Sequence, residues 1–297
     1  MREQYEAIQQ MQDYIEEHLD EPMSLEMLAD AAGYSACHAS RLFKELVGIS
    51  PLEYLRARKL SRAAERLRDT KGSILEISLD AVFESHEGFT RAFKRKFGMT
   101  PEEYRKKTPP IPLFFPRSAR EYYLHYIKGE PVRMEKQQMV FIQVIEKPAR
   151  KLILKRGRQA THYFEYCEEV GCDVWGVLSS IKNPLHEPLG LWLPDSMRPR
   201  GTSEYAQGVE VSLNYEGVVP EGMELIELLP CRMMVFHSQP YKDEEMGTVV
   251  TSIQEAIDTY QPEVFGYEWA DDEAPRYQLI PLPERGYIEA RPVRKKK

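Results

Sequence analysis

The chain has 297 residues, of which 42% are hydrophobic and 29% charged, enough for two domains with separate hydrophobic cores. No apolar run approaches the length of a membrane span and the polar start MREQYEAIQQ is unlike a secretory signal, so we expect a cytoplasmic protein. The four cysteines have neither zinc-finger nor CxxC spacing, and we therefore expect no disulfide, no metal and no cofactor.

The formal net charge of −7 is distributed unevenly along the sequence. Residues 1–34 carry a net charge of −8, whereas residues 35–71 carry +5 and residues 85–107 carry +4. A DNA-binding protein needs positive charge only on the face that meets the phosphates. The charge pattern is therefore compatible with DNA binding by the two basic segments, although the whole chain is acidic.

Helix-start and helix-stop signals follow one another through the first hundred residues. Three capping boxes, each a hydroxyl residue followed three positions later by Glu, begin at Ser50, Ser73 and Thr100. Gly48 and Gly98 stand where a helix commonly ends in a left-handed residue. These signals predict an all-α domain whose helices span 5–19, 25–32, 36–47, 51–69, 74–81, 86–97 and a short segment from 101.

One segment of this region occurs twice. The sequence SRLFKELVGISPLEYLR at 40–56 returns as TRAFKRKFGMTPEEYRK at 90–106. Each copy predicts a basic amphipathic helix, a Gly stop and a helix that begins with Pro. Two such helices, separated by a helix roughly 27 Å long, can lie about 34 Å apart and read two major-groove segments.

The two basic helices divide into an apolar face and an exposed face. Phe89, Phe93 and Phe97 mark the buried face of the second helix, and Ala39, Leu42, Phe43, Leu46 and Val47 that of the first. Arginine can bind guanine through two hydrogen bonds, and lysine suits phosphate. The candidate DNA-binding residues on the opposite faces are Cys37, Ser40, Arg41, Lys44, His86, Glu87, Thr90, Arg91, Lys94 and Arg95.

The first 107 residues resemble the double helix-turn-helix DNA-binding domain of the AraC family of bacterial transcription regulators. The resemblance rests on LADAAGYS, SRLFKELVGISPLEYLRARKLSRAAERL and FESHEGFTRAFKRKFGMTPEEYR. It implies that one recognition helix of each motif enters a major groove of double-stranded DNA. This chain departs from the family at Val82, where the second motif usually has Gly before the Phe, and a β-branched residue resists positive φ.

The pattern changes after residue 107. The Pro-rich stretch TPPIPLFFPR cannot continue a helix, and it predicts a domain organisation of 1–107, a linker or arm at 108–138, and a second domain at 139–297. Two helices are predicted near 161–180 and 243–260. Strands are predicted at MVFIQVI, KLILK, GLWL, GVEVSL, ELIELL, RMMVFHS, PRYQLIPL and GYIEARPV, so this half is expected to be α+β.

The second half resembles the GyrI-like (SHS2-type) small-molecule-binding domain. The resemblance rests on EYAQGVEVSLNYEG, CRMMVFHSQPY, EEMGTVVTSIQEAIDTY and GYIEARPV. It implies two β-α-β-β halves around a ligand cleft, with a carboxylate on the last strand that serves an aromatic or cationic molecule. The candidate ligand-binding residues are Glu289, with Glu210 in reserve, and the aromatic residues Trp175, Trp192, Tyr215 and Trp269.

Together the two resemblances favour a ligand-responsive transcription regulator of the multidrug-sensing kind, with RNA polymerase as a further candidate partner. Two alternatives for the second half stay open. It could be a small-molecule hydrolase with His162, His186 or His237 as general base, or a protein-interaction module. Neither GxSxG nor HExxH occurs, so an enzyme is not the favoured interpretation.

Overall fold

The computed structural model describes residues 2–81, 83, 85–114, 119 and 140–296. The chain divides into two compact units, 1–130 and 131–297. Most of the predicted linker at 108–138 lies outside the described residues. Within the described ranges, no helix is both long and apolar enough to cross a membrane.

The regular secondary structure of the first unit is all helical in its described part, as predicted. Every predicted helix is present, and each begins or ends within three residues of its predicted position. The helices are α1 (Arg2–Glu17), α2 (Leu25–Ala31), α3 (Ala36–Val47), α4 (Pro51–Asp69), α5 (Ile74–Asp80), α6 (His86–Phe97) and α7 (Pro101–Lys107).

The predicted caps form. The side chains of Ser50, Ser73 and Thr100 each accept from the backbone N–H three residues on, and the Glu at that position accepts from the cap backbone. Gly48 at φ 91° and Gly98 at φ 77° end α3 and α6 in the left-handed region. A side chain at either position would strain this turn, so these glycines set the lengths of the two basic helices.

Helix α4 contributes to both hydrophobic cores of the first unit. Its Tyr54 packs with α1, α2 and α3, whereas its Leu60 and Leu67 pack with α5, α6 and α7. The sequence repeat appears here as a repeated contact. Tyr54 meets Phe43 with ring centroids 5.4 Å apart, and the corresponding pair from the second copy, Tyr104 and Phe93, is 5.8 Å apart.

The described start of the predicted linker, 108–114, packs on the helices. Leu113 is buried in the second core. The backbone N–H of Phe114 donates to Ser61 at 2.7 Å, its carbonyl accepts from Arg58 at 3.1 Å, and its ring lies 5.0 Å from that of Tyr54. This short stretch therefore covers α4.

The second unit combines nine strands with three helices in its described part. The strands are β1 (Val140–Lys147), β2 (Arg150–Arg156), β3 (Leu189–Trp192), β4 (Tyr205–Val211), β5 (Glu224–Leu228), β6 (Cys231–Ser238), β7 (Tyr267–Trp269), β8 (Arg276–Gln278) and β9 (Ile288–Lys295). The helices are α8 (Tyr163–Glu169), α9 (Asp173–Ser179) and α10 (Met246–Thr259).

Two features of this unit differ from the sequence prediction. The single helix predicted near 161–180 is two short helices, because Gly171 adopts φ 105° between them and interrupts the helical hydrogen bonds. Strand β7 was not predicted, since three residues are too few to show an alternating pattern. The eight predicted strands are all present.

All strand pairs are antiparallel, in the order β1-β6-β9-β8-β3-β4-β2-β5, with β7 beside β9. The first half runs β2, α8 with α9, β3 and β4. The second half repeats this strand, helix, strand, strand order with β6, α10, β8 and β9, and it has the additional short strand β7 between α10 and β8. The halves join where β3 pairs with β8.

One long antiparallel ladder, in which β1 and β2 run opposite β6 and β5, connects the two ends of this strand order. Strand β1 leads into β2 after two residues but pairs with β6, and β5 leads into β6 but pairs with β2. The register is the same across the bend, because Lys147 lies opposite Cys231 and Arg150 lies opposite Leu228. The strand that precedes each half, β1 or β5, therefore pairs with the first strand of the other half.

The two faces of the sheet have different partners. One face packs against the helices, with Val209 among α8 and α9 and with Phe236 against α10. The other face holds an apolar cluster built from both halves, including Leu152, Met233 and Ala290. Side chains alternate between these faces along each strand, so the register decides which residues meet.

A buried charge cluster lies on the face away from the helices. The carboxylate of Glu210, 1% exposed, meets Lys147 at 2.5 Å, Arg150 at 2.7 Å and His186 at 2.7 Å. Burial alone would raise the pKa of Glu210, but the hydrogen bond from His186 and the charges of Lys147 and Arg150 lower it to about 2. The folded state therefore favours the carboxylate form.

This cluster predicts loss of stability in acid. The pKa of Glu210 is lower in the folded chain than its ordinary value of 4.5, so its stabilisation is present above pH 4.5 and is lost as the pH falls towards 2. We expect the wild type to lose about 3 kcal/mol more than Glu210→Gln over this range. Glu210→Gln should be less stable at neutral pH, because two buried cations lose their partner.

The measurement is urea unfolding followed by tryptophan fluorescence at a series of pH values. All three tryptophans lie in the second unit, so the signal reports on that unit. Glu227→Gln, at an exposed position of β5, serves as the control and should follow the wild type. Parallel pH profiles for the wild type and Glu210→Gln would contradict this account of the cluster.

Candidate functional site

The first basic helix, α3, presents a polar face to solvent. The Ser35 side chain begins the helix by accepting from the backbone N–H of His38 at 3.4 Å. Burial of Ala39, Leu42 and Phe43 fixes the orientation of the helix. Of the predicted contact residues, Cys37, Arg41 and Lys44 are exposed and Ser40 is half-buried.

The second basic helix, α6, has the same construction. Ser85 begins it by accepting from the backbone N–H of Gly88 at 3.0 Å, and the helix buries Phe89, Ala92, Phe93 and Phe97. Of the predicted contact residues, Thr90 is half-buried, and its hydroxyl oxygen is covered and has no hydrogen-bond partner in the described part. The exposed ones are His86, Glu87, Arg91, Lys94 and Arg95.

The arginines of these faces are available to a ligand. Arg41, Arg91 and Arg95 form no side-chain hydrogen bond or ion pair with any described residue. A guanidinium group has five N–H donors, and phosphate and guanine are acceptors that match its geometry. Both helices therefore present unpaired cations to solvent at matching positions of the repeat.

A groove of about 750 Å³ lies between α4 and α6. Its cationic lining comes from Arg56, Lys59, Arg91 and Arg95. Lys59 is occupied, since it is buried and donates to the Glu21 carbonyl at 2.9 Å. Arg56 is exposed and was not among the predicted contacts. The sequence could have indicated it, because it is a basic residue on the polar side of α4.

The turn before α6 is only partly described. Val82, where the chain departs from the AraC pattern, lies outside the described residues. Phe83 is half-buried, and its ring meets that of Phe89 at a centroid distance of 5.3 Å. The position after Val82 therefore packs on the second core.

Comparison with known proteins agrees with this geometry. A sequence profile described as "Helix-turn-helix domain" matches residues 28–107. SoxS of Salmonella typhimurium is 35% identical over 102 residues, which are 34% of this chain and 95% of that regulator. MarA of the same organism is 38% identical over 99 residues, 33% of this chain and 78% of that protein.

Longer relatives match over one part of their length. The transcriptional regulator Rob of Salmonella typhimurium is 46% identical over 95 residues, 32% of this chain, and this chain spans about a third (33%) of Rob. A solved AraC-type regulator from Chromobacterium violaceum is 31% identical, with 34% of this chain and 89% of that chain covered and a TM-score of 0.33.

The first unit thus contains a helix-turn-helix domain. The chain belongs to the AraC family of bacterial transcription regulators.

The second unit has a polar row across the helix-facing side of its central strands. Directly paired residues share a face, and the pairing runs from Gln207 on β4 to Gly190 on β3, Gln278 on β8 and Glu289 on β9. A second row, two residues along the strands, runs from Tyr205 to Trp192 and Arg276. These rows bring together residues from both halves of the unit.

Glu289 is the most buried acid of this face, with 0% exposure. Its Oε1 is paired with the guanidinium of Arg276, and the hydroxyl of Tyr287 lies 3.0 Å from its Oε2. Burial raises the pKa of Glu289, although Arg276 and Tyr287 oppose the shift. The carboxylate is therefore held by one cation in an otherwise poorly solvated place.

Trp192 forms an aromatic platform beside this pair. Its indole N–H donates to the Thr161 carbonyl at 2.9 Å, and the Tyr205 ring meets its ring edge-on at 5.4 Å. The guanidinium carbon of Arg276 lies 5.2 Å from the centre of the Trp192 ring, within cation–π range. Arg276 is thus bound at once by a carboxylate and an aromatic face.

Two neighbouring polar groups have no partner in the described part of the chain. Both amide atoms of Gln207 and the hydroxyl of Tyr205 are buried without a hydrogen bond. Gly190 makes room for this arrangement, because a Cβ there would overlap the Tyr205 hydroxyl. Buried donors and acceptors of this kind are uncommon and call for an explanation.

The structure brings together two of the six predicted ligand-binding residues, Glu289 and Trp192, which both contact Arg276. Glu210 lies on the opposite face within its own charge cluster. The other three predicted residues are engaged elsewhere. Trp175 meets Tyr163 at 6.2 Å, the Tyr215 hydroxyl donates to the Val218 carbonyl, and Trp269 stacks with Arg291.

Three further residues of this site, Tyr205, Gln207 and Arg276, were not predicted. Tyr205 and Gln207 had a weak signal, because Tyr205-x-Gln207 recurs in the second half as Tyr287-x-Glu289, and this recurrence does not involve Arg276. Only the pairing of β3 with β8 shows that both copies line one surface.

The three candidate catalytic histidines do not converge. His186 contacts Glu210, His237 contacts the Arg285 carbonyl at 2.8 Å, and His162 lies 3.5 Å from Glu165. Among the described residues, no group of three or more His, Cys, Asp and Glu could hold a metal ion. The hydrolase alternative gains no support from this arrangement.

The exposed arginines of α3 and α6 predict separable effects on DNA binding. Arg41→Ala and Arg91→Ala should each cost about 1–3 kcal/mol on the preferred site and relax base preference at one position. Lys44→Ala is the matched comparison on α3: it should weaken binding to all sequences alike and lower the salt slope by about 1. Electrophoretic or fluorescence titrations at several salt concentrations, with selected and scrambled duplexes, distinguish these outcomes.

An equal loss on every duplex for Arg41→Ala or Arg91→Ala would place that arginine on phosphate. An unchanged salt slope for Lys44→Ala would remove the lysine from the interface.

Proposed function

We propose that this protein is a ligand-responsive transcription regulator. Its first unit reads two adjacent major-groove segments with α3 and α6. Its second unit binds a small aromatic or cationic molecule of the kind to which multidrug sensors respond. Binding of that molecule changes the affinity for DNA or the contact with RNA polymerase.

The repeat supports recognition of two DNA segments by one chain. Helix α4 has 19 residues and belongs to both cores, so it acts as a rigid spacer. Its length of about 28 Å suits two recognition helices one helical turn of DNA apart, about 34 Å. A monomer should therefore bind one asymmetric site.

The unpartnered polar groups at the centre of the sheet are the observation that carries the sensing proposal. A buried donor or acceptor without a partner costs about 1–3 kcal/mol. Gln207 and Tyr205 carry three such atoms beside Glu289 and Trp192. A ligand that hydrogen-bonds to this row would offset the cost, and the carboxylate and indole suit a flat cation.

The strand–helix–strand–strand order of each half accords with the proposed GyrI-like domain. The site lies where the two halves meet, so a bound molecule contacts β4 from one half and β9 from the other. A ligand shifts a conformational equilibrium only through its different affinities for the two states. A site shared by two halves provides such a difference whenever their relative position changes.

Titration of the full-length protein with a panel of planar organic cations, followed by tryptophan fluorescence, tests the sensing proposal. We expect at least one compound to bind and to shift the affinity for a selected operator duplex. Glu289→Gln should lose most of this binding, because a neutral amide no longer pairs with a cation, while it should bind DNA normally without compound.

Glu263→Gln, at an exposed position outside the row, is the control and should retain ligand binding. Binding that survives Glu289→Gln would contradict the proposed site. Conversion of a compound during the titration would favour the hydrolase alternative.

A further inference from the structure

The polar row contains a cation of its own. Arg276 makes the two contacts that the proposed site offers to a flat cationic molecule: an ion pair with Glu289 and a cation–π contact with Trp192. A molecule that used both contacts would have to take the place of this guanidinium group. The site is therefore occupied by the chain itself.

We infer that Arg276 is a resident cation that holds the effector site closed and is displaced when a cationic effector binds. This inference rests on the proposed sensing role of the second unit. It makes Arg276 a residue that determines specificity, since only a molecule that outcompetes a guanidinium group gains access to Glu289.

The exposure of the two partners shows which of them can leave. The Arg276 side chain is 27% exposed, whereas Glu289 is 0% exposed. The arginine thus reaches solvent by rotation about its own side-chain bonds, and the carboxylate does not. The cost of withdrawing Arg276 is the loss of a buried charge-assisted hydrogen bond, which the incoming cation restores.

The surroundings keep the vacated place attractive to a cation. The negative charge of Asp258, an exposed residue of α10, raises the pKa of Glu289. Arg291, a cation two residues after Glu289 on β9, is paired with Asp271 at 2.6 Å. With Arg276 withdrawn, the carboxylate of Glu289 therefore loses the guanidinium group with which it pairs, and the Trp192 ring remains fixed by its bond to Thr161.

Arg291, on the same strand as Glu289, offers an internal comparison with Arg276. It also pairs with a carboxylate and stacks on an indole, since its guanidinium carbon lies 4.3 Å from the Trp269 ring. Its carboxylate partner, however, is 53% exposed. Removal of Arg291 leaves a hydrated acid and creates no strong cation site. Burial of the acid is what distinguishes Arg276.

Calorimetric titration of the full-length protein with benzamidinium and its neutral counterpart benzamide tests the inference. The two probes have almost the same shape and differ in charge. Arg276→Gln should bind benzamidinium at least about tenfold more tightly than the wild type, because the competitor has been removed. Benzamide should bind the two proteins equally, and Arg291→Gln should behave as the wild type does.

The outcomes separate this inference from the proposed function. Equal or weaker benzamidinium binding by Arg276→Gln would overturn it, as would a gain that persists in the Arg276→Gln, Glu289→Gln double variant. Binding by Arg276→Gln with none by the wild type would show a resident cation that is not displaced, which overturns the inferred displacement. A loss of benzamide binding in Arg276→Gln would show that the arginine binds the effector directly, which also overturns the inference.

Arg276→Lys is a second variant that tests the inference if Arg276→Gln fails to fold. Lysine keeps the positive charge but contacts a carboxylate through a single point, so it competes less well than the forked guanidinium group. This variant should bind benzamidinium with intermediate affinity. In a thermal melt, benzamidinium should raise the Tm most for Arg276→Gln, less for Arg276→Lys and least for the wild type. The reverse order would overturn the inference.

Discussion

The pairing of β3 with β8 is the constraint on which the second unit depends. It joins the two halves of the sheet and sets Gly190 against Gln278 and Trp192 against Arg276. A shift of one residue in this register would turn the polar row towards the opposite face, into the apolar cluster. The buried charges then would have no partners, so the register and the site are selected together.

The first unit depends on a comparable sharing of one element. Helix α4 is built into two cores, and each core uses the same Phe–Tyr contact from one copy of the repeat. Apolar burial on one side of α3 and α6 leaves their cations on the other side. Packing thus positions the basic faces, and no charge needs to be buried for this purpose. The opposite holds in the second unit, where Glu210 and Glu289 are buried and paired.

Much of the first unit could be predicted from the sequence because its signals are local. Capping boxes, terminal glycines and a 3.6-residue apolar period all act within one or two turns, and they located each of the seven helices described between residues 2 and 107. The second unit was predicted as a set of strands but not as a site. Glu289 and Trp192 were proposed from composition and resemblance, whereas Arg276, Gln207 and Tyr205 matter only because of pairings between distant strands. Long-range register leaves little trace in a single sequence.

The strand exchange between the halves bears on how such a unit could arise. Strand β1 pairs with β6 of the second half, and β5 pairs with β2 of the first half. A half on its own would lack the strand that the other half supplies, so the edges of its own strands would be exposed. Two separate copies of an ancestral half could satisfy one another by exchanging these strands as a symmetric dimer. Gene fusion would then preserve the exchanged pairing within one chain. The asymmetry of the row, with Gln207 in one half and Glu289 in the other, is a change that a dimer of identical halves could not have acquired.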